Sequence, residues 1–491
     1  MSAEERDAGV MLRRLRQRAL SLGGAHGFDY LTHFLLPVVL ARCLDTVAFG
    51  QYRLVWLAAR TAMAAAPLAM PTSLYYFLPR SDRNTRRLYV NQTLLFLCLT
   101  GLVSGWAVSS WNPWLPESMY ALEQHGALVP LFVLLWVIAS LLDMLPAIEE
   151  RVMWQTKSVV GLALLRTLAL AATAIVTRQL EPVLIVLIAF VTFKIGVLVF
   201  YIARHHGLRG PILRWRAFVD QVKHATPFGA AGALYDLRAQ ADQWVAAAIF
   251  SLELFAAFSV GTVIGMLVSV LRKSVNTAFL PSMSKLQAAG DLRGMLELNS
   301  RANAMVGALV CPLAAYAFVF AEEVVTTIYT ASYVAAAPVM RVYIVGLLPL
   351  VVELASITLL LRQGPFVVGV NAVALVFAVP ASWFAAQHFG LAGAAAGSVI
   401  AIYLDRFATL RHISRLSGVP MRRLQDWRTL GRLLVYAVIC AALAEWLVEH
   451  YFAGSGPLVK LLFGGAVLGV AYTALFGLAS MRNGLAMAGK R

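Results

Sequence analysis

The stretch Val183–Ile202 reads VLIVLIAFVTFKIGVLVFYI, interrupted only by Thr192, Lys194 and Gly196. A hydrocarbon core about 30 Å thick is crossed by about 20 apolar residues rising about 1.5 Å each, and a helix satisfies all its own backbone hydrogen bonds there. The stretch is therefore expected to span a bilayer. Blocks of the same kind run to both ends of the chain, fourteen in all: Ser21–Leu40, Leu54–Phe77, Tyr89–Ser109, Ala127–Leu145, Val159–Val176, Val183–Ile202, Ala225–Phe250, Leu254–Val275, Ala302–Phe320, Ala335–Leu361, Phe366–Phe384, Leu391–Thr409, Leu433–Val448 and Leu461–Leu478. The expected fold class is an all-α polytopic membrane protein.

The joints between blocks alternate in charge. If the N-terminus is cytoplasmic, the inner joints hold Arg80, Arg83, Arg86 and Arg87; then Arg204, Arg209, Arg214, Arg216 and Lys223; then Arg411, Arg415, Arg422, Arg423, Arg428 and Arg432. The tail before the first block adds five more arginines. Trp111–Gly126, Phe250–Leu254 and Ala385–Gly390 carry no Lys or Arg. The positive-inside rule then places both termini in the cytoplasm, in agreement with an even number of crossings.

Hydrophobic residues make up 60% of the 491 residues, charged residues 13%, and the net charge is +16. This composition excludes an ordinary soluble globular protein. The basicity implies no nucleic acid, because most of it sits in inner joints, where it sets topology and meets anionic lipids. Cys43, Cys98, Cys311 and Cys440 form no CxxC or Cys/His cluster, so neither a disulfide framework nor a metal site is indicated. Met1–Leu20 reads as a basic amphipathic run that stays attached, since no convincing cleavage site follows it. No joint greatly exceeds about 25 residues, too few for an extramembrane catalytic core.

Two long basic joints, Arg204–His224 and Arg411–Arg432, divide the blocks into six, six and two. Both read as helices lying on the membrane, the first with Ile212, Trp215, Val219 and Val222 at helical spacing, the second with Met421, Leu424 and Trp427. The implied organisation is an N-lobe over 1–203, a linker helix over 204–224, a C-lobe over 225–410, and an amphipathic linker with two further helices over 411–491. Phe49-Gly50-Gln51-Tyr52 after block one is echoed by Phe255-Ala256-Ala257-Phe258 after block seven, a hint of two related halves.

At these residues the chain resembles the bacterial polysaccharide flippases of the Wzx type, in the superfamily that also holds the MATE drug exporters and the lipid II flippase. The likeness is carried by Phe49-Gly50-Gln51-Tyr52, by Pro227 and Asp242 in block seven, by Pro281-Ser282-Met283-Ser284, and by Ile328-Tyr329 with Ser332-Tyr333 before block ten. It departs at Ala256 and Thr330, where glycine is usual. The resemblance implies a V-shaped, MATE-like arrangement of two pseudo-symmetric six-helix lobes plus two C-terminal helices. It further implies alternating access in a bacterial inner membrane, carrying an undecaprenyl-diphosphate-linked oligosaccharide outward for surface polysaccharide or O-antigen assembly. Partners would include a polysaccharide polymerase and chain-length machinery.

Charges at membrane depth are the sharpest site signal, because each costs from about 2.5 to about 17 kcal/mol unless paired or wetted. The cations are Arg60, Arg166, Lys194, Arg238, Arg341 and Arg406; the anions are Asp29, Asp143, Asp236, Asp242, Glu353 and Asp405. A diphosphate is a compact polyanion that arginine's fork binds bidentately, so Arg60, Arg238, Arg166, Lys194 and Arg341 are candidates to line a cationic cavity between the lobes. Pairing within a lobe competes with that role, as for Arg238 with Asp242 four residues on. Asp29, Asp242 and Asp236 are candidates to couple H⁺ or Na⁺ to rocking. No organic cofactor and no catalytic residue is expected.

Other features read as structural. His33 and the His205-His206 pair lack ligand spacing. Trp111, Trp114 and Tyr120 suit an outer interfacial belt, and Gly390–Gly397 suits close helix packing. Two other functions compete with this one. A drug or organic-cation antiporter would favour an acidic, aromatic cavity, and a membrane polymerase or glycosyltransferase would need a large outer loop or an acidic metal motif. The excess of deep arginines opposes the first, and neither feature required by the second is visible.

Overall fold

The computed structural model describes residues 23–25, 27–207 and 210–488. The basic run Met1–Leu20, and Arg209 of the first long joint, lie outside the described residues. Within them every regular element is helical. Nine helical stretches among the described residues are long and apolar enough to cross a membrane, and Leu252–Gly261 and Ala336–Leu350 are shorter apolar helices. Large apolar side chains such as Val103, Val176, Phe384 and Leu462 point outward. The chain is a multi-pass membrane protein.

It divides into two compact units, Met1–Leu237 and Arg238–Arg491. The first holds α1 (27–43), α2 (Thr46–Ala65), α3 (Met70–Phe77), α4 (Arg83–Ala107), α5 (Leu128–Ala139), α6 (Leu145–Ile148), α7 (Val152–Thr177), α8 (Leu180–His205) and the start of α9 (Trp215–Ile249). Its core joins Leu74, Val90, Leu97, Val137, Leu141, Leu145 and Tyr201. The second unit holds the rest of α9, α10 (Leu252–Gly261), α11 (Ile264–Ala288), α12 (Leu292–Val319), α13 (Ala321–Ile328), α14 (Ala336–Leu350), α15 (Ala355–Leu360), α16 (Gly364–Ser417), α17 (Trp427–Phe452) and α18 (Pro457–Ala488). Here α12, α17 and α18 close around Cys311, Ala437, Cys440, Ala441 and Ala444.

Short polar joints start many of these helices. Asp45, Asp82, Ser251, Asp291 and Asp426 each accept a hydrogen bond from a first-turn backbone N–H of the helix that follows. Such caps satisfy donors that the helix itself leaves bare.

Four blocks expected to be continuous are interrupted. Block two divides into α2 and α3, because Pro67 offers no N–H, and Leu68 (φ 41°) and Ala69 (φ 56°) turn left-handed. Gly229 of α9 lies against this turn; a Cβ there would fall 2.3 Å from the Leu68 carbonyl carbon. Block four tightens to a 3-10 turn at Ser140–Asp143 before α6. Block eight is α10 and α11, and block ten is α14 and α15, with Pro349 just ahead of the second break. Blocks eleven and twelve are the two arms of α16, joined at Gly390 (φ 64°, ψ −147°), a conformation that glycine alone adopts readily. In the second arm, a Cβ on Gly393 or Gly397 would meet Ala385 O at 2.0 Å or Ser382 Oγ at 2.2 Å, so the small-residue run does serve close packing.

The long joints also differ from expectation. Trp215–His224 is no separate linker helix but the first turns of α9, which runs on through Pro227. The segment before it is tied to α4: Asn91 donates to Pro211 O at 3.0 Å, and the Arg214 N–H to Gln92 Oε1 at 3.2 Å. In the second joint α16 ends at Gly418 (φ 67°), Met421–Arg423 forms one 3-10 turn, and Leu424 and Gln425 are buried. Leu424 joins Met283, Met295, Leu296 and Ile413, and Asn303 Nδ2 donates to Gln425 Oε1 at 3.1 Å. This end of the joint rests on protein, because its buried amide needs a polar partner that lipid cannot supply.

Candidate functional site

In the first unit the deep charges of α1, the Ser140–Asp143 turn, α7 and α8 fall into two groups. Arg166 of α7, 5% exposed, reaches α1. Its NH1 lies 3.0 Å from His33 Nε2, and its NH2 lies 3.3 Å from Asp29 Oδ1, 3.3 Å from Thr32 Oγ1 and 3.0 Å from His33 Nδ1. His33 also lies 2.9 Å from the Asp29 carbonyl oxygen and 3.3 Å from its Oδ1. Lys194 of α8, 6% exposed, is paired with Asp143 at 2.8 Å and lies 5.2 Å from the Trp136 ring centroid. Arg60 lies in the last third of α2, on the approach to the Pro67 break, and is exposed. Its interacting carboxylate is Asp236 of α9, also exposed.

In the second unit Arg238 lies 4.0 Å from Asp405, which also lies 3.8 Å from its neighbour Arg406. Asp242, 1% exposed, accepts from the Tyr343 hydroxyl at 2.5 Å and from the Gln243 N–H at 2.8 Å. The spacing of Arg238 and Asp242 suggested a pair, yet each has a partner on another helix. Arg341 donates from Nε to Phe318 O at 3.1 Å and pairs with exposed Glu322 at 3.3 Å. Glu353 sits in the α14–α15 break, where its carboxylate accepts from the N–H groups of Ala355 and Ser356 and its backbone C=O from Asn299.

One ionic cluster lies between spans. Glu149, in the α6–α7 joint, accepts from the Tyr201 hydroxyl and lies 2.6 Å from His206 Nε2 and 3.8 Å from Arg151 Nε. Burial pushes its carboxyl up, but the hydrogen bonds from His206 and Tyr201 and the charges of His206 and Arg151 outweigh that and hold it below the usual carboxylate range. No group of three or more His, Cys, Asp or Glu side chains fit to hold a metal ion occurs among the described residues.

The expected candidates are thus brought together in pairs inside each unit: Asp29 with Arg166, Asp236 with Arg60, Lys194 with Asp143, and Arg238 with Asp405. His33 and Tyr343 belong to these sites although neither was a candidate. The Asp29–His33 spacing of four residues was the available signal for the first; Tyr343 has none, since its partner lies on a distant part of the chain. Arg53 and Arg272 are further cations inside helices α2 and α11.

The model of the family described as polysaccharide biosynthesis protein matches residues 39–338, more than half of the chain. The chain belongs to that family. No curated protein matches the chain by sequence. Solved structures share its fold. The lipid II flippase MurJ in an inward closed conformation superposes with a TM-score of 0.72 at 10% identity, covering 94% of this chain and 99% of that one. An inward-facing multidrug resistance MATE family transporter gives 0.58 at 10% identity, covering 80% and 96%. A MOP superfamily transporter from Pyrococcus furiosus gives 0.53 at 12% identity, covering 81% and 95%. These are a flippase and two transporters, and the chain shares their fold.

Proposed function

We propose that the protein flips an undecaprenyl-diphosphate-linked oligosaccharide from the inner to the outer leaflet of a bacterial inner membrane, with both termini cytoplasmic. The observation that carries this reading is Arg60: an arginine exposed well inside a spanning stretch, with Asp236 acting on it, in a chain of the polysaccharide biosynthesis family. A charge at that depth is tolerable where it faces water, and a polyanionic headgroup is what such a water-filled path would carry. Arg166 and Arg238, which lie 3.3 Å from Asp29 and 4.0 Å from Asp405, would join it as the headgroup passes. Lys194 and Arg341, already paired with Asp143 and Glu322, would contribute field more than contact. Asp29, Asp236 and Asp242 stand as the carboxylates through which H⁺ or Na⁺ would couple to alternating access, and a polymerase with its chain-length machinery would take the product.

The test is a deletion strain complemented by plasmid. Loss of surface polysaccharide with undecaprenyl-diphosphate oligosaccharide accumulating on the inner leaflet, rescued by the wild type and not by Arg60→Ala at equal membrane abundance, is the expected result. Normal glycan with altered resistance to cationic drugs overturns it in favour of an antiporter, and a flipped but unpolymerised repeat unit overturns it in favour of a polymerase.

A further inference from the structure

We infer that His33 is a proton-operated latch on Arg166, a positioning residue that decides whether this arginine is held by α1 or free to meet an anion. The role given to the freed arginine rests on the proposed function; the latch itself does not.

The geometry is specific about protonation. Both terminal nitrogens of Arg166 lie 3.0 Å from a ring nitrogen of His33. A neutral imidazole has one lone pair and accepts one of these N–H groups in either tautomer. An imidazolium has none, and it sets a second cation against the guanidinium. The present arrangement of Arg166 therefore belongs to neutral His33. It is also electrically closed, because Asp29 balances Arg166. Charged and titratable groups act on it from two neighbouring helices. Lys194 of α8, which acts on Asp29, is balanced by Asp143 at 2.8 Å, and Tyr52 of α2 faces Arg166 and is acted on also by Arg53 and Arg60. A proton on His33 leaves the cluster with one positive charge too many. Imidazolium and guanidinium then compete for the single Asp29 carboxylate, and His33 is favoured, being one turn away on the same helix and already 3.3 Å from it. Arg166 keeps only Thr32 Oγ1, a neutral acceptor. The His33 side chain is 36% exposed, so a proton can reach it, whereas the Arg166 side chain is 6% exposed. Acidification on the side that reaches His33 thus uncovers a deep cation, and a polyanion binding to that cation draws a proton on to His33, by linkage.

The test uses the full-length protein in lipid nanodiscs and reads backbone hydrogen exchange of α1 and α7, corrected for intrinsic rates. The expected result is a loss of protection in both helices on acidification from about pH 8 to about pH 5. It is absent in His33→Gln, which keeps an acceptor but no titration. His33→Lys, a fixed cation, should leave both helices unprotected at every pH. A step that persists in His33→Gln, or a His33→Lys protein as protected as the wild type at about pH 8, overturns the latch. The rate of flipping undecaprenyl-diphosphate oligosaccharide in proteoliposomes separates the two ideas: its pH profile should flatten in His33→Gln. If the exchange step behaves as stated while the wild type flips this lipid at no pH, the proposed function fails and the latch stands.

Discussion

Gly229 and Gly232 lie one turn apart in α9, and replacing each by alanine should have opposite effects. Alanine in a helix interior is favoured over glycine by about 0.5–1 kcal/mol, because glycine loses more backbone entropy on folding. At Gly232 a Cβ meets nothing within 4 Å, so Gly232→Ala should show that gain alone. At Gly229 the Cβ would fall 2.3 Å from the carbonyl carbon, 2.5 Å from the oxygen and 2.6 Å from the Cα of Leu68. These are backbone atoms, in a left-handed turn that cannot relax by changing a rotamer, and overpacking of this kind costs about 1–3 kcal/mol. Gly229→Ala should therefore come out less stable than Gly232→Ala by about 1–3 kcal/mol. The assay is SDS-induced unfolding of purified protein in mixed micelles, run on the two variants side by side so that the detergent reference cancels. Equal midpoints, or a Gly229→Ala protein the more stable of the two, would refute the idea that α9 clamps the Pro67 break.

Substitutions at three further places test other parts of the fold. Asp426→Ala removes the side chain that caps α17 through the Thr429 N–H at 3.1 Å and should cost about 0.5–2 kcal/mol in the same assay, with Asp426→Asn recovering most of it. Glu149, whose carboxyl is held below the usual range, adds stability at pH above about 4.3 that is lost as pH falls through the lower folded value; Glu149→Gln should remove this part of the acid sensitivity, and an unchanged acid-unfolding curve would count against the cluster. Asp143→Asn should be more damaging than Lys194→Met, because it leaves an ammonium 8% exposed at the side chain without its carboxylate, at about 3–5 kcal/mol, whereas the reverse change leaves Asp143, 53% exposed, to water.

The number and placing of apolar blocks made the membrane fold legible, since hydropathy over about 20 residues integrates many side chains. Their interruptions were not, for the same reason: a window wide enough to find block two averages over Pro67, and the left-handed turn at Leu68 and Ala69 adds no polar residue. Pro227 gave the opposite error, being carried inside α9 where a helix boundary was expected. The deep charges were found, but their partners followed the sequence only where four residues separate them on one helix, as in Asp29 and His33. Asp405 and Tyr343 reach Arg238 and Asp242 across the second unit, a relation visible only once the helices are packed. His33 was set aside because an isolated histidine is usually satisfied; it is satisfied, by the arginine whose position it governs.

The joint α16–α17 bears on how the protein is made. Cys311 of α12 is covered by Ala437, Cys440 and Ala441 of α17, and Leu424 and Gln425 close the neighbouring end of the unit. At about 5–20 residues per second, the ribosome needs on the order of 10 s after finishing α12 before α17 can reach it. During that interval Asn303, fully buried in the finished protein, has no Gln425 to bind. The core of the second unit around α12 therefore closes only after α17 has been made, more than a hundred residues later in the chain.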